Sequence, residues 1–183
     1  HHLVDGYEKA DSWATDAHKW LNTPYDCGIV LVRNANHLTN AMSATASYLM
    51  QSDNREPAYH VPEFSRAARG IDVWAALRTL GKSGLAEMID RNCQQARMMA
   101  NLLTNAGFTV HNDVVLNQVV VSFGTPEQTR QVIHDVQVDG TMWAGGTTWQ
   151  GHTAMRISVS SWATTDEDIQ CSADALIRIA REV

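Results

Sequence analysis

The sequence predicts an α/β chain in two parts: the end of one domain over residues 1–70, then a smaller α/β domain over 71–183, with helices packed on an antiparallel or mixed sheet. Three observations predict it. Apolar side chains recur at helical spacing from Leu85 to Leu103. A β-branched run at 27–33 reads as a buried strand, and 118–123 also looks like a strand. Helix-start signals at Thr125 and Thr164–Thr165 each follow a strand-like segment, so strands and helices interleave.

Taken in order, residues 9–13 are short and mixed and fit a strand entering a turn. Cys27-Gly-Ile-Val-Leu-Val-Arg33 is the strand leaving it, and Pro24 keeps the connection extended or turned. Residues 34–64 are rich in Asn, Ser, Asp and Pro and read as loop, with a short helix near 36–40. A helix is expected over Asp72–Leu80. A longer one follows over Ser83–Asn105, its buried stripe made of Leu85, Met88, Ile89, Cys93, Ala96, Met99, Ala100 and Leu103, with Gly107 as its stop. The methionines there are core filler. Phe108–His111 and Gln118–Phe123 are strands. Thr125-Pro-Glu-Gln128 combines a cap, a first-turn proline and a capping-box partner for a helix reaching Val136. Thr141–Ala144 and Ala154–Ser160 are expected strands, with Gly145–Gly151 as the loop of a hairpin. Acids at 166–168 open the last helix, whose stripe is Ile169, Ala173, Leu176, Ile177 and Ala180.

Composition narrows the function classes. The 183 residues are 44% hydrophobic and 19% charged, as in a folded chain rather than a disordered one. A net charge of −6 without a basic stripe argues against nucleic-acid binding. No apolar stretch approaches a membrane span, and no secretory signal is visible. Cys27, Cys93 and Cys171 form no C-x-x-C pair, which speaks against zinc and suits a reducing, cytoplasmic compartment. His111, His134 and His152 show no ligand spacing and read as structural. The glycines at 145, 146 and 151 lack the spacing of a phosphate loop.

The densest chemical signal is Lys19, which follows His18 directly between two strand-like segments. A lysine at such a reversal is expected to be buried. Burial penalises the ammonium form, and a neutral amine is the nucleophile that forms a Schiff base with an aldehyde cofactor. Around it stand Ser12 and Trp13, then Lys19 with Trp20 and Leu21, then Tyr25, Cys27, Val30 and Arg33. In spacing and residue type this segment resembles the lysine signature of the group II pyridoxal phosphate-dependent decarboxylases, the family of aromatic-amino-acid, glutamate and histidine decarboxylases. The likeness covers nearly the whole chain, most strongly up to residue 80.

The resemblance implies the PLP-dependent transferase fold of the aspartate aminotransferase class. Residues 1–70 are then the C-terminal part of the cofactor-binding large domain, and 71–183 the small domain. It implies pyridoxal 5'-phosphate linked to Lys19, with His18 helping to hold its phosphate. It implies that Tyr48, on a loop reaching the neighbouring subunit's active site, returns a proton to the substrate carbon after CO₂ departs, a step for which a phenol is a suitable acid. A phenylalanine there marks aldehyde-forming relatives, so Tyr48 favours simple decarboxylation. Ser65 is implied as a donor to the phosphate from the partner subunit. The resemblance thus implies a small-molecule amino-acid substrate and a homodimer with shared active sites. Arg66 and Arg69 fit either the same neighbourhood or ordinary interface and helix-end charges. Asp16, where relatives often have asparagine, is left without a role. The family's remaining cofactor ligands precede the lysine, so the chain is expected to be a piece of a longer protein, inactive by itself. Two other readings stay open: another enzyme of the same fold (aminotransferase, desulfurase or aldehyde synthase), and a non-catalytic interaction module.

Overall fold

A computed structural model describes residues 2–43, 54 and 56–183. The chain divides into two compact units, His1–Arg78 and Thr79–Val183.

In the first unit β1 (Ser12–Asp16) and β2 (Gly28–Val32) form an antiparallel hairpin. The register runs from Ser12 opposite Val32 to Asp16 opposite Gly28. Arg33 closes the open end. Its backbone N–H donates to the Asp11 carbonyl, and its guanidinium donates to the carbonyls of Glu8 (2.6 Å) and Ala10 (3.0 Å). Helix α1 (Ala35–Met42) follows, its first turn capped by the Asn34 side chain, which accepts from the Asn36 N–H. A short 3-10 turn spans Pro57–His60.

Helix α2 spans Arg69–Asn105 but is non-helical at Gly81, where φ is 65° and ψ −176°. Only glycine takes that backbone without strain. The two helices expected over 72–80 and 83–105 are thus the two arms of α2.

The second unit is a four-stranded sheet in the order β3-β4-β6-β5, with β3 at Thr109–Val110, β4 at Gln118–Ser122, β5 at Gly145–Trp149 and β6 at His152–Ser158. All neighbouring pairs are antiparallel. Helices α3 (Pro126–Asp139) and α4 (Asp166–Glu182) join the second arm of α2 on one face. Because side chains alternate along a strand, Val119, Val121, Met155 and Ile157 point together into this core. They meet Ala96, Met99 and Leu103 of α2, Val132 and Val136 of α3, and Ile169, Ala173 and Leu176 of α4. Both α3 and α4 begin with complete capping boxes, Thr125 with Gln128 and Thr165 with Asp168.

Two expectations about the strands fail. The run at 27–33, read as a buried strand, leaves β2 largely exposed, with Val30 at 51% and Leu31 at 60%. Residues 141–144 are not a strand. The strand is Gly145–Trp149, inside the stretch read as a loop, and the loop shrinks to a two-residue turn. Gln150 (φ 48°) and Gly151 (φ 86°) both take left-handed backbone, which suits the twist of a tight hairpin, with Trp149 paired to His152. Pairing along β6 supplies what the sequence of β5 lacks. The expected stripe of α4 also rotates slightly: Ala175 and Ile179 are buried, while Ile177 and Ala180 are only partly so.

Candidate active site

The register of β1 and β2 gives the lysine motif its physical meaning. Ser12 and Arg33 belong to the open end of one hairpin, and residues 17–27 form its loop, so the whole motif is a single folded unit with His18 and Lys19 in the turn. The loop is held internally. The Ala17 N–H donates to the Cys27 carbonyl at 2.8 Å, and the Thr23 N–H donates to the Ala17 carbonyl at 3.2 Å. Ala17, Thr23 and Cys27 are buried, which explains a small residue at position 27.

His18 is fixed from two sides. The Cys27 backbone N–H donates to its Nδ1 at 2.9 Å. The Tyr25 ring lies 4.4 Å away, centroid to centroid, tilted by 57°. The Cys27 carbonyl is 3.0 Å from the same Nδ1.

Lys19 is where the structure departs from expectation. Its amine is not enclosed: the side chain is 71% exposed and its Nζ lies 2.6 Å from the Asp16 carboxylate. The described residues around the turn supply a hairpin but no apolar wall. Asp16, left without a role by the sequence, is the amine's partner, and the hydrogen bond from Lys19 holds its carboxyl below the usual carboxylate range.

Ser65 lies exposed on the segment leading into α2 and makes no hydrogen bond among the described residues. The turn carries His18 and Lys19 together, and no hydrogen bond joins Ser65 to either. Tyr48 lies outside the described residues. Arg66 donates to the Glu63 carbonyl at 3.0 Å.

Arg69 has a structural task that sequence reasoning missed. It donates through Nε to the Asp26 carbonyl at 2.7 Å, and its Nη2 lies 2.8 Å from the Asp26 carboxylate. This ties the end of the lysine loop to the start of α2. The hydrogen bond from Arg69 holds the Asp26 carboxyl below its ordinary value, and the same bond raises the guanidinium. An open cavity of about 610 Å³ beside this clamp is lined by Asp26, Gly28, Glu63, Arg66, Arg69 and neighbouring residues. Its two guanidinium groups face two carboxylates, so it is close to charge-balanced and is not an anion cradle in its own right.

In the second unit the His111 and His152 rings stack at 4.9 Å, 21° from parallel, and His111 Nε2 is 2.8 Å from the Ser122 hydroxyl. Among the described residues no group of three or more His, Cys, Asp or Glu could hold a metal ion. No described helix is long and apolar enough to cross a membrane.

Comparison with known proteins places this hairpin. Residues 1–124 match the model of the pyridoxal-dependent decarboxylase conserved domain. An aromatic-L-amino-acid decarboxylase of Bacillus atrophaeus is 31% identical over 109 residues, which is 57% of this chain and 23% of that protein. The Drosophila lebanonensis aromatic-L-amino-acid decarboxylase is 25% identical over 176 residues, covering 93% of this chain and 44% of its own length. Among solved structures, Oryza sativa TDC with PLP and tryptamine superposes with a TM-score of 0.90 at 22% identity, over 99% of this chain and 41% of that one. Mouse CSAD in its apo form gives a TM-score of 0.86 at 18% identity, over 100% of this chain and 42% of that one. The chain thus has the fold of these decarboxylases and spans less than half the length of each.

Proposed function

This chain belongs to the pyridoxal-dependent decarboxylase family, and from that premise we propose that it is part of an enzyme that removes CO₂ from an L-amino acid to give an amine, with pyridoxal 5'-phosphate held at Lys19. The observation that carries the proposal is the β1–β2 register, which makes the motif from Ser12 to Arg33 one hairpin and sets His18 and Lys19 side by side in its turn.

The donors in that turn suit an aldehyde that bears a phosphate. Lys19 offers an accessible primary amine. His18 offers an imidazole whose Nε2 has no partner among the described residues. When bound, the cofactor supplies an electron-accepting ring that makes loss of the α-carboxylate as CO₂ feasible.

The chain's own residues do the rest. Lys19 must part from Asp16 and give up a proton before its nitrogen can act as a nucleophile. His18 would hold the cofactor's phosphate by donating to one of its oxygens. Arg69, by clamping Asp26, keeps the loop that carries both residues in place. Tyr48 delivers a proton to the substrate carbon, and Ser65 adds a phosphate donor from the second subunit of a homodimer. We take the enzyme to be cytoplasmic. The turn by itself leaves Lys19 in solvent, and we expect the 183-residue chain alone not to turn over. The aromatic and tyrosine decarboxylases among its relatives favour an aromatic L-amino acid as substrate.

The test is product analysis on the full-length enzyme with aromatic L-amino acids. Amine and CO₂ are expected, and Tyr48→Phe should divert product toward aldehyde. A keto acid as the main product would place the protein with the aminotransferases and overturn the proposal.

A further inference from the structure

Only an N–H can serve a phosphate oxygen, so which nitrogen of His18 carries the proton matters. The geometry decides it. Nδ1 lies within reach of both the N–H (2.9 Å) and the carbonyl (3.0 Å) of Cys27. The two are not equivalent partners. The Cys27 carbonyl already accepts from the Ala17 N–H at 2.8 Å and from the His18 N–H at 3.4 Å. The Cys27 N–H has the imidazole as its acceptor, and Cys27 is buried, at 3% exposure. A neutral ring with its proton on Nδ1 would leave that buried N–H without an acceptor, whereas a ring with its proton on Nε2 satisfies it. Nε2 lies across the ring from Nδ1, so its N–H is directed away from Cys27.

We propose that the Cys27 backbone amide fixes neutral His18 as the Nε2–H tautomer and that Tyr25, packed against the ring, is a positioning residue that holds this donor ready for a phosphate group. The role of Tyr25 is to stop the ring turning away from the Cys27 N–H. A phenylalanine supplies the same ring face, so the hydroxyl is not needed. The cost of stranding a buried N–H corresponds to a preference of at least about fivefold for Nε2–H. Tyr25 is itself 86% exposed, so loss of the aromatic contact lowers that preference by about twofold, the low end of what an aromatic pair contributes. This inference rests on the reading of His18 as a phosphate ligand, but its test does not.

The experiment is nitrogen-15 NMR of the imidazoles in the 183-residue chain at alkaline pH, with His18 assigned by substitution. The expected result is an unprotonated, hydrogen-bond-accepting Nδ1 at His18, a shift toward a tautomer mixture in Tyr25→Ala, and the native pattern in Tyr25→Phe. A proton on Nδ1, or a Tyr25→Ala spectrum identical to the native one, overturns the proposal. A separate titration of the full-length protein with pyridoxal phosphate, reading the same nitrogens, tests the functional premise. If Nδ1 is the acceptor but Nε2 does not respond to the ligand, the phosphate role fails while the tautomer assignment stands.

Discussion

Replacing Gln95 with leucine should cost the second unit about 2–4 kcal/mol. The figure follows from what the side chain touches. Gln95 is buried, at 1% exposure, and sits beside Asn92, which is fully buried. Its Nε2 donates to the Thr164 carbonyl at 2.9 Å and to the Asp166 carboxylate at 3.2 Å, and its Oε1 accepts from Asn92 at 3.2 Å. Asn92 also donates to the Ser161 carbonyl at 3.2 Å. The two amides thus stitch α2 to the segment that starts α4. Leucine keeps most of the volume, so the cost is polar: hydrogen bonds worth about 1 kcal/mol each are lost, and groups left without partners add more. Urea unfolding of native and variant chains would measure it, with equal m values required for the comparison. Hydrogen exchange at the first amides of α4 should speed up by a matching factor. A loss below about 0.5 kcal/mol, the scale of an ordinary surface substitution, would refute the reasoning.

Two further predictions concern single groups. Thr23 Oγ1 is buried and has no hydrogen-bond partner among the described residues, so Thr23→Val, which keeps the shape, should leave stability unchanged or raise it by up to about 1 kcal/mol in urea unfolding; a clear loss would mean the hydroxyl has a partner. The pH dependence of the second unit should carry the mark of His111, whose ring burial, with His152 adding repulsion, holds below its ordinary 6.5. The unfolded chain then takes up the proton first as pH falls, so this contribution is complete above 6.5, declines as pH drops from there toward the folded-state value, and is flat below it. His111→Asn should flatten that slope in urea titrations across pH, and an unchanged slope would count against the assignment.

What the sequence made legible was whatever local pattern controls. The Ser12–Arg33 motif was readable because its spacing is a hairpin register. The α2 stripe and both capping boxes were readable because helix periodicity and caps act within a few residues. Strand β5 was not, since Gly145-Gly-Thr-Thr-Trp149 carries no apolar alternation and is a strand only by pairing with β6. Its turn was hidden as well, because Gln150 stands where asparagine or glycine would announce one. The clamp of Arg69 on Asp26 joins residues distant in sequence, and the hold of Cys27 on His18 depends on how the loop closes, so composition hints at neither. Asn92 and Gln95 could have been found: they occupy the same helical face as Met88, Cys93, Ala96 and Met99, and two amides on a buried stripe require partners. Exposure of Lys19 is the reverse case. The residue type and setting argued for burial, but burial depends on neighbouring chain, and the described residues provide only the turn.

The central claim is a covalent one, and it can be read directly. Full-length protein incubated with pyridoxal 5'-phosphate, reduced with borohydride and digested should yield one modified peptide containing Lys19. Modification of a different lysine, or of none, would contradict the account.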